Sequence, residues 1–156
     1  MQVFLPFPDV AKSLQVLDKV RLWKQVLEAK QLLDCIDGRK DGWKNHPCAK
    51  MYKRYPKFLI FYFNEGLRQW KGVGKTSYTY LSSDLLEQTD IPSWFGVNEF
   101  HLSHRSNLLR KAIADRDGIG ANGSHKKPSS QLLQNLKRFD VTSENTPDNL
   151  EYVWPV

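Results

Sequence analysis

A chain of 156 residues with a formal charge of +6 is long enough for one packed core and biased toward polyanionic partners such as nucleic acid. No apolar run is long enough to cross a bilayer, and MQVFLPFPDV lacks the basic n-region of a signal peptide. Two cysteines, Cys35 and Cys48, make neither a disulfide framework nor a four-ligand zinc site. The expectation is a reduced, cytoplasmic monomer that needs no cofactor.

Pro6 and Pro8 hold the first residues extended. Asp9 or Ser13 then caps a long first helix, predicted over about residues 13–36. DGRKDGW ends it with two glycines. Asn45 or His46 caps the next helix, whose first turn holds Pro47. Pro56 breaks that helix, and a second helical run turns Phe58, Phe61, Tyr62 and Leu67 toward the core before Gly72 and Gly74 stop it. TSYTYLSSDLLEQTD fits a short helix or extended chain equally well. Ser103 is the predicted N-cap of another helix, and 115–130 a polar, glycine-rich, mobile loop. SSQLLQNLKRF is a short amphipathic helix, and the aromatic tail packs back on the body. The predicted fold is mainly α, one domain over residues 1–156.

Four features carry possible chemistry. Asp18, Arg21, Gln25 and Glu28 recur at steps of three and four, within a sector of roughly 80° on a helix flanked by leucines. Charges on such a helix are either paired with one another or face a substrate. HLSHRSNLLRK brings Arg105, Arg110 and Lys111 near a helix start rich in hydroxyls, a pattern that seats phosphate or merely solvates a basic face. His101 and His104 in it stand three apart, but no third ligand at a diagnostic spacing supports a metal. WKNHP offers His46 as a cap or a donor to a ligand. Finally, a backbone α-amine has a pKa of about 8, so part of it is free base at neutral pH and able to form an imine with a sugar carbon.

Together MQVFLPFPD, the R-L-x-K-Q stripe, W-x-N-H-P, S-H-R-S-N-L-L-R-K and the closing Y-V-W-P resemble a bacterial and phage branch of the pyrimidine-dimer DNA glycosylase, or endonuclease V-like, family. The resemblance covers most of the chain outside the loop 115–130. It implies a compact helical fold in which the amino terminus threads between helices to a pocket beside the first long helix. It also implies a DNA glycosylase, with possible abasic-site lyase activity, acting on damaged or modified pyrimidines. The first residue's α-amine would attack C1′ of a flipped nucleotide, a first-helix glutamate would assist, and arginines would hold phosphates. Met1 then falls on the nucleophile and Arg21 on an arginine, while Gln2 and Gln25 replace arginines. Leu22 falls where the glutamate is expected, so Glu28, or Asp18, takes its role. The implied substrate contacts are Gln2, Lys24, Gln25, Asn45, His46, His101, His104, Arg105, Arg110 and Lys111. Two alternatives stand beside this: an enzyme for a free nucleotide or hypermodified base, and a non-catalytic DNA-binding module on the same scaffold.

Overall fold

The computed structural model describes residues 1–155. Its helices are α1 (Val10–Gln15), α2 (Lys19–Ile36), α3 (Pro47–Tyr52), α4 (Pro56–Lys71), α5 (Asn98–Arg116) and α6 (Gln131–Arg138). No strand forms among the described residues; the one isolated β-bridge pairs Ile119 with His125. No helix among them is long and apolar enough to cross a membrane. The mainly helical fold class read from the sequence is therefore the observed one.

The first predicted helix is two. Asp9, not Ser13, caps α1 by accepting from the Lys12 N–H at 2.9 Å. The chain then breaks at Val16–Leu17, and Asp18 caps α2 by accepting from the Arg21 N–H. An aspartate's side chain competes for backbone donors, which favours a cap over a helix interior. Along α2, Leu22, Val26, Ala29 and Leu33 follow the helical repeat and enter the core with Leu32. Asp37 and the left-handed Gly38 (φ +77°) end the helix.

α2 packs along α4, which is where the core is densest. Gly66 of α4 allows this, because a Cβ there would lie 3.2 Å from Val26 Cγ2. Phe58, Tyr62 and Leu67 of α4 are buried as expected, but Phe61 turns outward and is exposed. It sits one step off the stripe that faces α2. His46, rather than Asn45, caps α3, its Nδ1 accepting from the Cys48 N–H at 3.1 Å.

α5 begins five residues before the predicted cap, so Ser103 is buried inside the helix and caps nothing. Its hydroxyl instead donates to the Phe100 carbonyl. The helix also runs through Asp115 and Arg116, shortening the predicted loop at its start. TSYTYLSSDLLEQTD forms neither helix nor strand apart from a short 3-10 turn at Gln88–Asp90. α6 buries Leu132 and Leu136, and Tyr152 and Trp154 of the tail pack against the core.

Candidate active site

Residues 2–7 are an extended strap without a strand partner, threaded through the protein's interior. Buried peptide groups must find hydrogen bonds, and here side chains supply them almost one by one. The Gln2 N–H donates to Glu28 Oε2 at 3.0 Å, and the Gln2 carbonyl accepts from Gln25 Nε2 at 3.0 Å. The Val3 N–H donates to Gln2 Oε1 at 2.9 Å. The Phe4 N–H donates to Gln25 Oε1 at 2.8 Å, and its carbonyl accepts from the Tyr62 hydroxyl at 3.0 Å. Tyr62 donates also toward Gln25 Oε1 at 2.6 Å.

Two histidines hold the next peptide. The Leu5 N–H donates to His104 Nδ1 at 2.9 Å, and His101 Nδ1 lies 2.7 Å from the Leu5 carbonyl. His101 Nε2 accepts from the Gly96 N–H at 2.8 Å, which fixes His101 as the neutral Nδ1–H tautomer. Arg105 donates to the Pro6 carbonyl at 2.7 Å, and the Ser13 hydroxyl bonds both the N–H and the carbonyl of Phe7. Helices α2, α4 and α5, with Ser13 of α1, thus grip the strap from all sides. This explains a polar stripe on a core helix: Gln25 and Glu28 satisfy backbone that runs past α2.

The strap ends at a pocket of about 280 Å³ lined by Met1, Gln2, Arg21, Lys24, Glu28 and Lys111, with Phe4, Gln25 and Tyr152 completing it. Glu28 is the carboxylate in this wall; Lys24 Nζ stands 3.9 Å from it and is largely exposed. Gln2 Nε2 is buried with no partner in the protein. Arg21 is set by two carboxylates: Asp18 at 3.3 Å, and Asp115 of α5 at 2.5 Å in a two-pronged contact. Burial works against the Arg21 charge, but Asp115 and then Asp18 outweigh it and raise its pKa. Burial likewise pushes the Asp115 carboxyl up, yet hydrogen bonds from Arg21 and Lys126 hold it below its ordinary value. Lys111, exposed at the rim, is lowered by desolvation and then by the charges of Arg21, Arg110 and Lys24.

Of the residues singled out in the sequence, the fold gathers Met1, Gln2, Arg21, Lys24, Gln25, Glu28 and Lys111 at this pocket. Arg110 stands beside it, tied to the tail through the Asp148 carbonyl at 3.0 Å. Asp18 does not line it and serves as cap and partner of Arg21. His46 lies near enough for its pKa to respond to the Met1 amine and Glu28, after burial, which is the largest cause of its lowering. Asn45 is exposed on the preceding turn. His101 and His104 are buried under the strap, and Arg105 is engaged by Pro6, so the expected phosphate seat at a helix start is corrected. The segment lies within α5, whose N–H groups there are already bonded within the helix. Both ring nitrogens of His101 are used, on Leu5 and Gly96, and His104 Nδ1 accepts from Leu5. Only His104 Nε2, buried without a protein partner, is left, so the pair does not offer two ring nitrogens to a metal. Ser13, Tyr62, Asp115 and Tyr152 were not singled out for the site. Their residue types recur throughout any core, and only the path of the strap gives them a role.

Burial, then the neighbouring His101, lowers His104 to a pKa of about 3. Its folded pKa lies below the unfolded value, so the neutral form stabilises the fold above pH 6.5, and this contribution is lost as pH falls toward 3. By pH 4.5 the loss is about 2–3 kcal/mol. Urea unfolding at stepped pH should show this acid limb, and His104→Asn should flatten it. An unchanged limb in the variant would assign it to other groups.

The fold and site define a helical domain that fastens its first residue into a cationic pocket next to one carboxylate. Residues 1–74, which include the strap and α1 to α4, match the family model described as pyrimidine dimer DNA glycosylase. The match covers just under half of the chain, and over this segment the chain is similar to that family. No curated protein and no solved structure matches the chain.

Proposed function

We propose that the protein is a DNA glycosylase with abasic-site lyase activity, acting on damaged or modified pyrimidines through the α-amine of Met1. One observation carries this reading. Buried polar side chains of α1, α2, α4 and α5 are devoted to the strap, and the residue they deliver to a basic pocket beside Glu28 is Met1. A chain end that merely frays has no such support.

The chemistry follows from the groups assembled. The Met1 nitrogen attacks C1′ while the C1′–N glycosidic bond breaks, and the base leaves with the electron pair and takes a proton. A proton delivered by Glu28 to O4′ opens the sugar ring and leaves a protonated imine between Met1 and C1′. Glu28 then receives the C2′ proton, a C2′–C3′ double bond forms, and the 3′ phosphate is expelled. Water hydrolyses the imine and frees the amine. One carboxylate serving as acid and then as base fits a wall in which Glu28 touches the backbone next to the nucleophile. Arg21, Lys24, Arg110 and Lys111 hold phosphates flanking an extruded nucleotide. Gln2 Nε2 is a donor without a protein partner, and Gln2 and His46 contact the substrate at the pocket's edge.

The test is borohydride trapping on duplex DNA with a single abasic site. Protein with a free amino terminus should give a covalent adduct, located on residue 1 by mass spectrometry, and selective N-terminal acetylation should remove it. A folded protein that gives no adduct sinks the lyase reading.

A further inference from the structure

The loop that joins α5 to α6 frames a second cavity, of about 370 Å³, on the far side of Arg21. We propose that this cavity is an anion seat for the phosphodiester next to the nucleotide in the pocket, so that the substrate is a strand and not a free base or nucleoside. The inference rests on the DNA reading above and adds the residues that read the neighbouring phosphate.

Three observations support it. First, the two cavities share Arg21 and Lys111 as a common wall, so a strand leaving one enters the other. Second, four cations, Arg21, Arg110, Lys111 and Lys126, line the cavity with one carboxylate, Asp115, while Asp18 pairs with Arg21 from outside it. Both Asp115 oxygens are already taken, one pairing with Lys126 and the other with Arg21. Asp115 thus has no oxygen left for Lys111, whose pKa is lowered by desolvation and then by the charges of Arg21, Arg110 and Lys24, against a smaller opposing pull from Asp115. An arriving phosphate would relieve that repulsion.

Third, the loop is built and fastened. The Ile119 N–H donates to the Ala114 carbonyl at 2.8 Å, the Lys126 N–H to the Gly118 carbonyl at 2.9 Å, and the Ser129 N–H to the Asp115 carbonyl at 2.9 Å. Gly118 is left-handed (φ +71°), and a Cβ on it would lie 3.0 Å from the Lys126 carbonyl. Only glycine accepts both that backbone and that approach. The turn returns Lys126 to α5, opposite Arg110 and Lys111. A lysine on a fastened turn makes a directed phosphate contact, which an exposed lysine on a free loop would not.

The experiment is fluorescence anisotropy on duplexes carrying a tetrahydrofuran abasic analogue, with one neutral methylphosphonate placed in turn at each phosphate flanking the lesion. At one position the replacement should weaken wild-type binding about tenfold. Lys126→Ala should weaken binding of the unmodified duplex by a similar factor, erase the penalty at that position alone, and reduce the salt slope by about 0.9. Lys126→Arg should restore both. Ala121→Glu leaves the Asp115 pairing intact and adds a repelling charge at the cavity rim, so it should reproduce the loss.

Penalties that persist in full at every position in Lys126→Ala would overturn the proposal. So would inorganic pyrophosphate binding that depends on Lys126 while no phosphodiester position does, since the seat would then serve a free phosphate compound. Trapping on the natural abasic site separates the two readings. An adduct without coupling to Lys126 removes the seat alone. Coupling without an adduct removes the amine chemistry and leaves the seat. A wild-type protein that does not bind the duplex removes both.

Discussion

Glu28→Gln is expected to lower trappable imine formation on abasic DNA by about 10²–10⁴-fold while the protein remains folded. Glutamine is nearly isosteric and keeps an oxygen to accept the Gln2 N–H, which Glu28 now accepts at 3.0 Å. The strap and Met1 therefore stay in place, and what is removed is the group able to give and take a proton. Little stability should go with it, because the 3.9 Å pair with Lys24 involves a largely exposed lysine. Asp18→Asn provides the comparison. Asp18 caps α2 and pairs with Arg21 outside the pocket wall, and asparagine caps as well as aspartate. Single-turnover trapping of both variants decides between the two carboxylates. Equal loss in both, or loss only in Asp18→Asn, would move the proton chemistry away from Glu28.

Gln25→Leu is the second large effect, and it acts on stability. Gln25 is buried and gives both ends of its amide to the strap, its oxygen to the Phe4 N–H and its nitrogen to the Gln2 carbonyl. Leucine fits the volume but leaves both peptide groups without these bonds, while Tyr62 keeps the Phe4 carbonyl. A buried polar group left unpaired costs about 1–3 kcal/mol, so urea unfolding should report a loss of about 2–5 kcal/mol. Trapping should fall too, because the strap loses the amide that positions it at Gln2, the residue next to Met1. A change under about 1 kcal/mol would mean that the strap is held elsewhere.

The pH dependence of stability and the effects of Gln25 and Glu28 share one cause. The amino-terminal strap has no sheet to join, so its peptide groups depend on side chains of residues 13–105. Acid protonates a histidine that must accept from Leu5. Gln25→Leu deletes an amide that must both donate and accept. Stability and the position of residue 1 are thus coupled, and changes under the strap should disturb both.

The sequence by itself determined the helical class, because apolar residues at helical spacing, prolines at first turns and glycines past last turns are local signals. It also determined that one stripe of the first long helix carries charge against an apolar background, and that Leu22 is unable to act as acid and base, which left Glu28 or Asp18 for that part. Local patterns could not say what the stripe faces. Only the tertiary structure decided that Gln25 and Glu28 meet the backbone of residues 2–4, since those contacts span 21 to 26 residues of chain. It also decided that His101, His104 and Arg105 serve the strap: a helix start and a helix middle rich in serine look alike in sequence, and the start lies five residues earlier, at Asn98. The same holds for Asp115 and Lys126, which look like loop polarity until α5 extends through the first and a left-handed glycine turns the second back beside Arg21. Secondary structure here follows from near neighbours, whereas the site is made where an extended strap, three helices and a folded loop converge, and that convergence depends on packing.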